Sequence, residues 1–153
     1  MSAGQIQGIA CKSGTRAPIE IMDAAQITEV YGLEGDHRGS RAKGGGERQI
    51  TILSEEDWNA ACAELDADLP WTFRRANLLV SDVELYDKAG CRLVIGDVIL
   101  EITGECEPCQ RMDEQYEGLR EALEPRWRAG ANCRVLKGGQ ISVGDSVSLS
   151  RVQ

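Results

Sequence analysis

Two cysteines separated by a Glu-Pro dipeptide, Cys106-Glu107-Pro108-Cys109, are the residues of this sequence whose types and spacing best suit chemistry. They follow a strand-like run. Pro108 fixes its own φ and disfavours a helical conformation at Glu107, so we expect Cys109 on a stiff turn. A thiol held at the end of a strand can serve as a nucleophile or as a ligand for a soft metal.

The spacing of these two cysteines alone leaves four interpretations open. A structural zinc site needs two further ligands, and the chain has no second CxxC and a single histidine. A dithiol redox pair is typical of CxxC at a strand-to-helix junction, but its usual βαβ setting is missing. In the third interpretation Cys109 is a functional thiolate and Cys106 is its structural neighbour. In the fourth both thiols are inert.

Arginines next to predicted strands form a second group of candidates, namely Arg48, Arg74, Arg75 and Arg134. If a barrel mouth gathers the strand ends, these guanidinium groups converge there. Guanidinium groups bind phosphate and carboxylate through paired hydrogen bonds in a fixed fork. The alternative is that they are surface arginines paired with the many carboxylates of an acidic chain.

A glycine-rich stretch from Gly32 to Gly46 is predicted to form a long loop with six glycines and the basic residues His37, Arg38, Arg41 and Lys43. A loop of this length in a compact domain is often functional. A solvated surface loop is the alternative. His37 is a candidate binding residue here, although a lone histidine in a loop is weak evidence.

The elements that must position these side chains are mostly short strands, predicted at 5–10, 18–22, 26–30, 49–53 and 78–80 and in two strand–Gly-Asp–strand units over 93–100 and 141–149. A helix beginning at Ser54 and a helical stripe from Met112 to Leu123 complete the pattern. Glycines within strands let a sheet curl. The sequence therefore predicts a mainly β fold, a closed β-barrel with a few helical inserts.

Length and composition restrict the classes of protein further. A chain of 153 residues fits one domain spanning 1–153, which is large enough that its six cysteines need not form disulfides. The net charge of −8 argues against a nucleic-acid binder. No apolar run has the length of a signal peptide or a membrane span, so we expect a cytoplasmic protein with reduced thiols.

An ordered series of short motifs resembles the MOSC domain, the domain found at the C-terminus of molybdenum-cofactor sulfurases. The motifs are Gly32 to His37, Arg48 to Leu53, Arg75-Ala76-Asn77-Leu78, Leu93 to Asp97, Glu101 to Gly104, Pro108-Cys109, and Arg134-Val135-Leu136 through Gly144-Asp145. They run in order over nearly the whole chain. The chain departs from the family at Ala76, where the family usually has Glu. It resembles a stand-alone member.

The resemblance implies a β-barrel with a pocket for the pyranopterin molybdenum cofactor. Cys109 matches the single invariant cysteine of the family, which ligates molybdenum in the related amidoxime-reducing proteins and has been proposed to relay sulfur in the sulfurases. The resemblance also implies that Arg75, Asn77 and Arg134 bind the phosphate and polar edge of the pterin. His37 and Arg48 are further candidates for cofactor binding.

Two functions follow as expectations. The first is a molybdenum-cofactor binder with Cys109 as metal ligand, which reduces N-hydroxylated compounds with electrons from a separate electron-donor protein. The alternative is a sulfur carrier or cofactor-handling module, without turnover of its own, that forms a persulfide on Cys109 with a cysteine desulfurase as partner. A scaffold with an inert thiol is the third possibility.

Overall fold

Eleven short strands form the framework of the computed structural model, which describes residues 4–14, 17–36 and 48–151. In chain order they are β1 (Gly4–Cys11), β2 (Glu20–Met22), β3 (Ala24–Thr28), β4 (Gly32–Leu33), β5 (Ile50–Ser54), β6 (Leu78–Ser81), β7 (Arg92–Ile95), β8 (Val98–Glu105), β9 (Ala131–Lys137), β10 (Gly139–Ser142) and β11 (Ser146–Ser150). The helices are α1 (Glu55–Glu64), α2 (Gln110–Gln115) and α3 (Leu119–Ala122), with 3-10 turns at Trp71–Arg74 and Pro125–Trp127.

Seven of these strands close into a barrel in the order β1, β11, β7, β8, β9, β5 and β6. The ring closes because β1 pairs with both β6 and β11. Only β5 and β6 are parallel among the barrel pairs; the other pairs are antiparallel. Strand β2 adds to β1 outside the ring. The predicted closed β-barrel with few helices is therefore confirmed.

The interior of the barrel is filled by every second residue of its strands, as the period of a β-strand requires. Along β8, Val98, Leu100 and Ile102 are buried in the core, and the residues between them face outward and are partly exposed. Along β9, Ala131, Cys133 and Val135 face the same core. Asn132 and Arg134 therefore lie on the outside of the barrel wall.

The helices cover the outer face of β5 and β6 with a second apolar cluster. Leu53 and Leu79 point outward from the two strands and pack in one cluster with Trp58 of α1, Met112 of α2 and Leu119 of α3. The helix start at Ser54 was predicted correctly: the Ser54 hydroxyl accepts the Asp57 N–H at 3.3 Å. This cluster anchors the segment that carries Cys109, because α2 begins one residue after it.

Two predicted elements differ from the structure. The helical stripe from Met112 to Leu123 is divided into α2 and α3, because Gly118 has a φ of 91° between them and breaks the helical path. The two Gly-Asp units are also not equivalent. β7 and β8 pair with each other across Gly96, whereas β10 joins the separate three-stranded sheet β10-β3-β4.

None of the helices in the described part of the chain is long and apolar enough to cross a membrane.

Candidate functional site

The segment Cys106–Cys109 leaves the barrel at the end of β8. The Cys106 N–H donates to the Gly130 carbonyl at 2.9 Å, just before β9 begins. Cys109 is extended, with φ −128° and ψ 177°, and its carbonyl accepts the Met112 N–H at 2.9 Å in the first turn of α2. Met112 is buried, so one end of this segment is fixed to the barrel and the other to the helical cluster.

The six cysteines, all within the described residues, differ sharply in exposure. Cys109 is exposed, Cys91 is half-buried, and the other four are buried. Burial raises the pKa of the Cys133 thiol. Burial also raises the pKa of Cys11, and the negative charges of the nearby Glu20 and Asp36 carboxylates raise it further. Cys109 is therefore the thiol that an external molecule can reach directly.

Arg74 is in direct contact with the cysteine segment. The sequence placed it in the group of candidate arginines, but not among the predicted cofactor-binding residues. Arg74 is buried, with 5 % of the residue exposed. Its Nε donates to the Ala129 carbonyl at 2.7 Å, and its Nη2 donates to the carbonyl of Cys106 at 3.3 Å and to the Cys106 Sγ at 2.6 Å. Nothing in the sequence separates Arg74 from its neighbour Arg75, because both precede the same strand.

Arg75 and Asn77, both predicted to bind cofactor, have different environments. Arg75 is half-buried, and its φ of 63° ends the 3-10 turn. Asn77 is buried; its Oδ1 accepts the Thr51 N–H at 3.0 Å and its Nδ2 donates to the Ala10 carbonyl at 3.3 Å. The Asn77 amide thus joins β1 to β5, which is a structural role; contact with a cofactor stays a prediction.

A row of polar groups continues from Asn77 across the outside of the barrel. The Thr51 hydroxyl donates to Asn132 Oδ1 at 3.3 Å, and Asn132 Nδ2 donates to the Glu105 carbonyl at 3.4 Å. The Thr103 hydroxyl donates to the Asn132 carbonyl at 3.1 Å. Asn132 was not selected from the sequence. This row ends at the residue before Cys106, so it fixes the position from which the cysteine segment departs.

Arg134 lies in the middle of β9 rather than at a strand end, because Ala131 and Asn132 extend the strand by pairing with Glu105 and Gly104. Its Nη2 is paired with the Glu101 carboxylate on the neighbouring strand. Its Nε is buried, and no partner for it occurs among the described residues. A buried donor without a partner is costly, so Arg134 has a hydrogen bond to offer an incoming acceptor.

Arg48 and His37 complete the predicted set. Arg48 is exposed just before β5, next to Gln49, whose side chain accepts the Val135 N–H at 2.8 Å. Arg48 is thus placed at the same part of the barrel wall as Arg134. His37 lies outside the described residues, as does most of the glycine-rich stretch, whose first residues form β4.

Two acidic residues flank Cys106 in the chain: Glu105 ends β8, and Glu107 lies between the two cysteines. The pKa of Glu105 is raised above its ordinary value, first by desolvation and then by the charge of Glu107. A raised pKa makes Glu105 easier to protonate, which reduces the negative charge at the end of β8. In the described part of the chain, no three His, Cys, Asp or Glu side chains gather to hold a metal ion by themselves.

The donor set fits an anionic cofactor that carries its own soft metal. Cys109 offers an exposed sulfur, which suits a soft metal as thiolate. Arg134 offers a buried N–H with no partner in the described structure, and guanidinium groups favour phosphate. The pyranopterin molybdenum cofactor has both a metal–sulfur centre and a phosphate, so these residues are compatible with it.

The chain is a small β-barrel protein with an exposed thiol in the segment after β8 and arginines along the barrel wall. These features together define a class of β-barrel proteins with a candidate cofactor site. A family model for the MOSC domain matches residues 39–148, well over half of the chain. The chain therefore belongs to the MOSC domain family. MOSC domains are associated with binding of the molybdenum cofactor.

Solved structures support the same fold. The YuaD protein from Bacillus subtilis is 21% identical with a TM-score of 0.79, over 99% of this chain and 98% of that chain. YiiM from Geobacillus stearothermophilus is 14% identical with a TM-score of 0.72, over 97% and 75% of the two chains. YiiM from Escherichia coli is 18% identical with a TM-score of 0.70, over 97% and 71%. At these identities the likeness shows the fold alone. No curated protein matches the chain significantly in sequence.

Proposed function

We propose that this protein binds the molybdenum cofactor with the Cys109 thiolate as a ligand of molybdenum. The observation that carries the proposal is the exposure of Cys109 on a segment fixed at both ends, by Gly130 and by Met112. A thiolate on a segment held in this way is aimed at a ligand without reorganisation. The four buried cysteines offer no such access.

The arginines provide the complementary part of the proposed site. Arg134 Nε, which is buried and has no partner in the described residues, donates to a polar or anionic atom of the cofactor. Arg48 and Arg75 contribute positive charge from the starts of β5 and β6, and His37 stays a candidate for the same group. Asn77 acts mainly by holding β1 and β5 together.

The activity that we propose is reduction of N-hydroxylated compounds with electrons from a separate donor protein. The bound cofactor supplies two-electron chemistry at the metal. In the overall reaction the N–O bond of the substrate breaks, two electrons and two protons are consumed, and the reduced base and water are formed.

Metal and pterin content test the binding proposal. The wild-type protein is purified from a host that makes the cofactor, next to Cys109→Ser and the control Cys91→Ser, which removes the other partly accessible thiol. We expect molybdenum and pterin to accompany the wild type and Cys91→Ser and to be lost from Cys109→Ser. Metal-free wild-type protein from such a host argues decisively against the proposal.

The exposure of Cys109 also favours a second candidate function, a sulfur carrier. An exposed thiol can enter the site of a cysteine desulfurase and leave as a persulfide, whereas a buried thiol cannot. Incubation with a desulfurase and cysteine should then add the mass of one sulfur atom to the peptide that contains Cys109. An unmodified peptide eliminates this candidate and leaves the first one untouched.

A further inference from the structure

We infer that Tyr86 is a positioning residue for the segment that carries Cys109, and that it acts by holding Arg126 and Trp127 in a strained backbone conformation. The observations behind it are the dihedral angles of these two residues and the contacts of one aromatic ring with both. The role of Tyr86 at the metal rests on the proposed function, whereas the held conformation does not depend on it.

Arg126 and Trp127 have backbone conformations that residues other than glycine rarely adopt. Their φ angles are 51° and 59°, so two successive residues lie in the left-handed region. There the Cβ of an L-residue crowds the following carbonyl oxygen, which costs free energy at each position. Such a conformation persists only where the surrounding structure holds it. Contacts of these two residues must therefore compensate for the strain.

The ring of Tyr86 contacts both strained residues. The Cζ of Arg126 lies 4.2 Å from the ring centroid, which is a cation–π contact. The Trp127 ring packs edge to face with the Tyr86 ring, with the centroids 6.2 Å apart and the planes at 84°. Glu84 adds an ion pair with Arg126 at 3.3 Å, but both side chains are exposed, and such pairs contribute little. Tyr86 is therefore the side chain that connects the two strained positions.

Tyr86 is itself anchored by its neighbours in the chain. Val83 and Leu85 are buried in the barrel core, so the stretch that leads to Tyr86 is fixed to the barrel wall. The half-buried Trp127 packs against the same core. The barrel thus places both rings, and the strained pair is held against it.

The carbonyls that hold the cysteine segment lie directly after the strained pair. The Gly130 N–H donates to the Trp127 carbonyl at 2.9 Å, and the Gly130 carbonyl accepts the Cys106 N–H at 2.9 Å. The Ala129 carbonyl accepts the Nε–H of Arg74 at 2.7 Å, and Arg74 also bonds Cys106. The conformation at Trp127 therefore determines where both carbonyls point.

Gly130 cannot absorb a change at Trp127, because it is packed closely against β5. Its φ is 110°, and a Cβ at this position would collide with the Ile52 carbonyl oxygen. The backbone of Gly130 thus has little room to shift. A change in the dihedral angles of Trp127 is passed on to the hydrogen bonds that anchor Cys106.

Loss of the Tyr86 ring lets the strained pair relax toward ordinary dihedral angles. The anchor of Cys106 then loosens, while the other end of the segment stays fixed through the hydrogen bond between Met112 and Cys109. Under the proposed function, Cys109 is then less well placed as a ligand of molybdenum.

Amide hydrogen exchange of cofactor-free protein, followed by NMR, tests this inference. The amides of Cys106 and Gly130 report on the anchoring hydrogen bonds, and the Val143 amide, which donates to the Asp23 carbonyl at 2.9 Å, reports on the three-stranded sheet. In Tyr86→Leu we expect about tenfold faster exchange at Cys106 and Gly130, because a cation–π contact and an aromatic pair are lost together. Exchange at Val143 should not change.

Tyr86→Phe is the matched control for Tyr86→Leu. Phenylalanine keeps the ring that contacts Arg126 and Trp127, so exchange should equal that of the wild type. Leucine keeps much of the apolar volume, so Tyr86→Leu should fold, which its circular dichroism spectrum checks. Unchanged exchange at Cys106 in Tyr86→Leu, or equally accelerated exchange at Val143, overturns the inference.

The double variant Tyr86→Leu/Arg126→Gly separates strain from packing. Glycine adopts positive φ without strain, so Arg126→Gly removes part of what Tyr86 compensates for. We expect slower exchange at Cys106 in the double variant than in Tyr86→Leu. If Tyr86 served only for packing, loss of a second side chain would make exchange at least as fast, and that result overturns the inference.

Molybdenum content distinguishes this inference from the proposed function. Where the wild type retains molybdenum, Tyr86→Leu should lose part of it and Tyr86→Phe should retain all of it. Metal-free wild-type protein contradicts the proposed function and leaves the exchange result standing. Full retention in Tyr86→Leu, despite faster exchange at Cys106, contradicts the positioning role.

Discussion

The Arg74 guanidinium reaches the Cys106 sulfur at 2.6 Å while also holding the Ala129 carbonyl at 2.7 Å. One buried side chain thereby joins the segment after β8, which carries both thiols, to the segment before β9. The position of Cys109 depends on this connection, because only Glu107 and Pro108 separate it from Cys106.

The first prediction concerns the stability that Arg74 provides. Arg74→Met keeps the length of the side chain but leaves the carbonyls of Ala129 and Cys106 without their buried donor. We expect a loss of about 3 kcal/mol in the free energy of unfolding, because buried hydrogen-bonding groups without partners are costly. Urea denaturation followed by circular dichroism measures it.

Arg75→Met is the matched control for Arg74→Met. The hydrogen bond from Arg75 to Thr72 uses the backbone N–H and survives the substitution. Since Arg75 is half-buried, we expect Arg75→Met to lower the free energy of unfolding by less than about 1 kcal/mol. Equal losses in the two variants contradict the role assigned to Arg74.

The second prediction concerns Asn77. Asn77→Ala removes the amide that bonds Thr51 and Ala10 and leaves a buried N–H and a buried carbonyl with weakened pairing. We expect destabilisation of about 2 kcal/mol. Asn59→Ala, on the exposed face of α1, should change stability by less than about 0.5 kcal/mol. If both variants match the wild type in thermal unfolding, Asn77 does not hold the strands together.

The third prediction concerns the protonation of Glu105. The pKa of Glu105 is raised by desolvation and, to a smaller extent, by Glu107. Glu107→Gln removes the second cause, so the pKa of Glu105 should fall but stay above its ordinary value of 4.5. Carbon NMR of the Glu105 carboxyl during a pH titration of cofactor-free protein measures this. The exposed Glu114→Gln on α2 is the control and should leave the titration unchanged.

The raised pKa of Glu105 also determines how the contribution of this residue to stability changes with pH. Because folded Glu105 binds its proton more tightly than unfolded Glu105, its contribution to stability is present at low pH and is lost as pH rises through the raised pKa. Glu105→Gln should therefore gain in stability relative to wild type as pH rises above 4.5, where the wild-type carboxyl ionises. A stability difference that is independent of pH speaks against the shift.

The barrel could be predicted from the sequence because the patterns that indicate strands and turns involve residues close together in the chain. Alternation of apolar residues in segments such as Gln5 to Ala10 and Gln49 to Leu53 follows from the strand period, and the Gly-Asp corners mark where strands turn. The MOSC resemblance rested on motifs in chain order, which the family match confirms. The break at Gly118 was missed because the apolar spacing on either side of it fits one continuous helix.

The contacts around the thiols could not be predicted, because they join residues distant in sequence. Arg74 and Cys106 are 32 positions apart, and Arg74 and Ala129 are 55 apart. No local pattern distinguishes Arg74 from Arg75, and only the 3-10 turn decides which guanidinium is buried. Asn132 was overlooked for the same reason: its partners Thr51 and Glu105 lie on two other strands.

The central claim is that Cys109 binds the metal of the cofactor, and protection from alkylation tests it most directly. The rate at which iodoacetamide modifies each cysteine is measured by peptide mass spectrometry, first in cofactor-free protein and then in protein loaded with molybdenum and pterin. We predict that Cys109 is alkylated readily without cofactor and is protected when loaded, while half-buried Cys91 reacts equally in both. Alkylation of Cys109 at the same rate in the loaded protein, with molybdenum retained, would contradict the account.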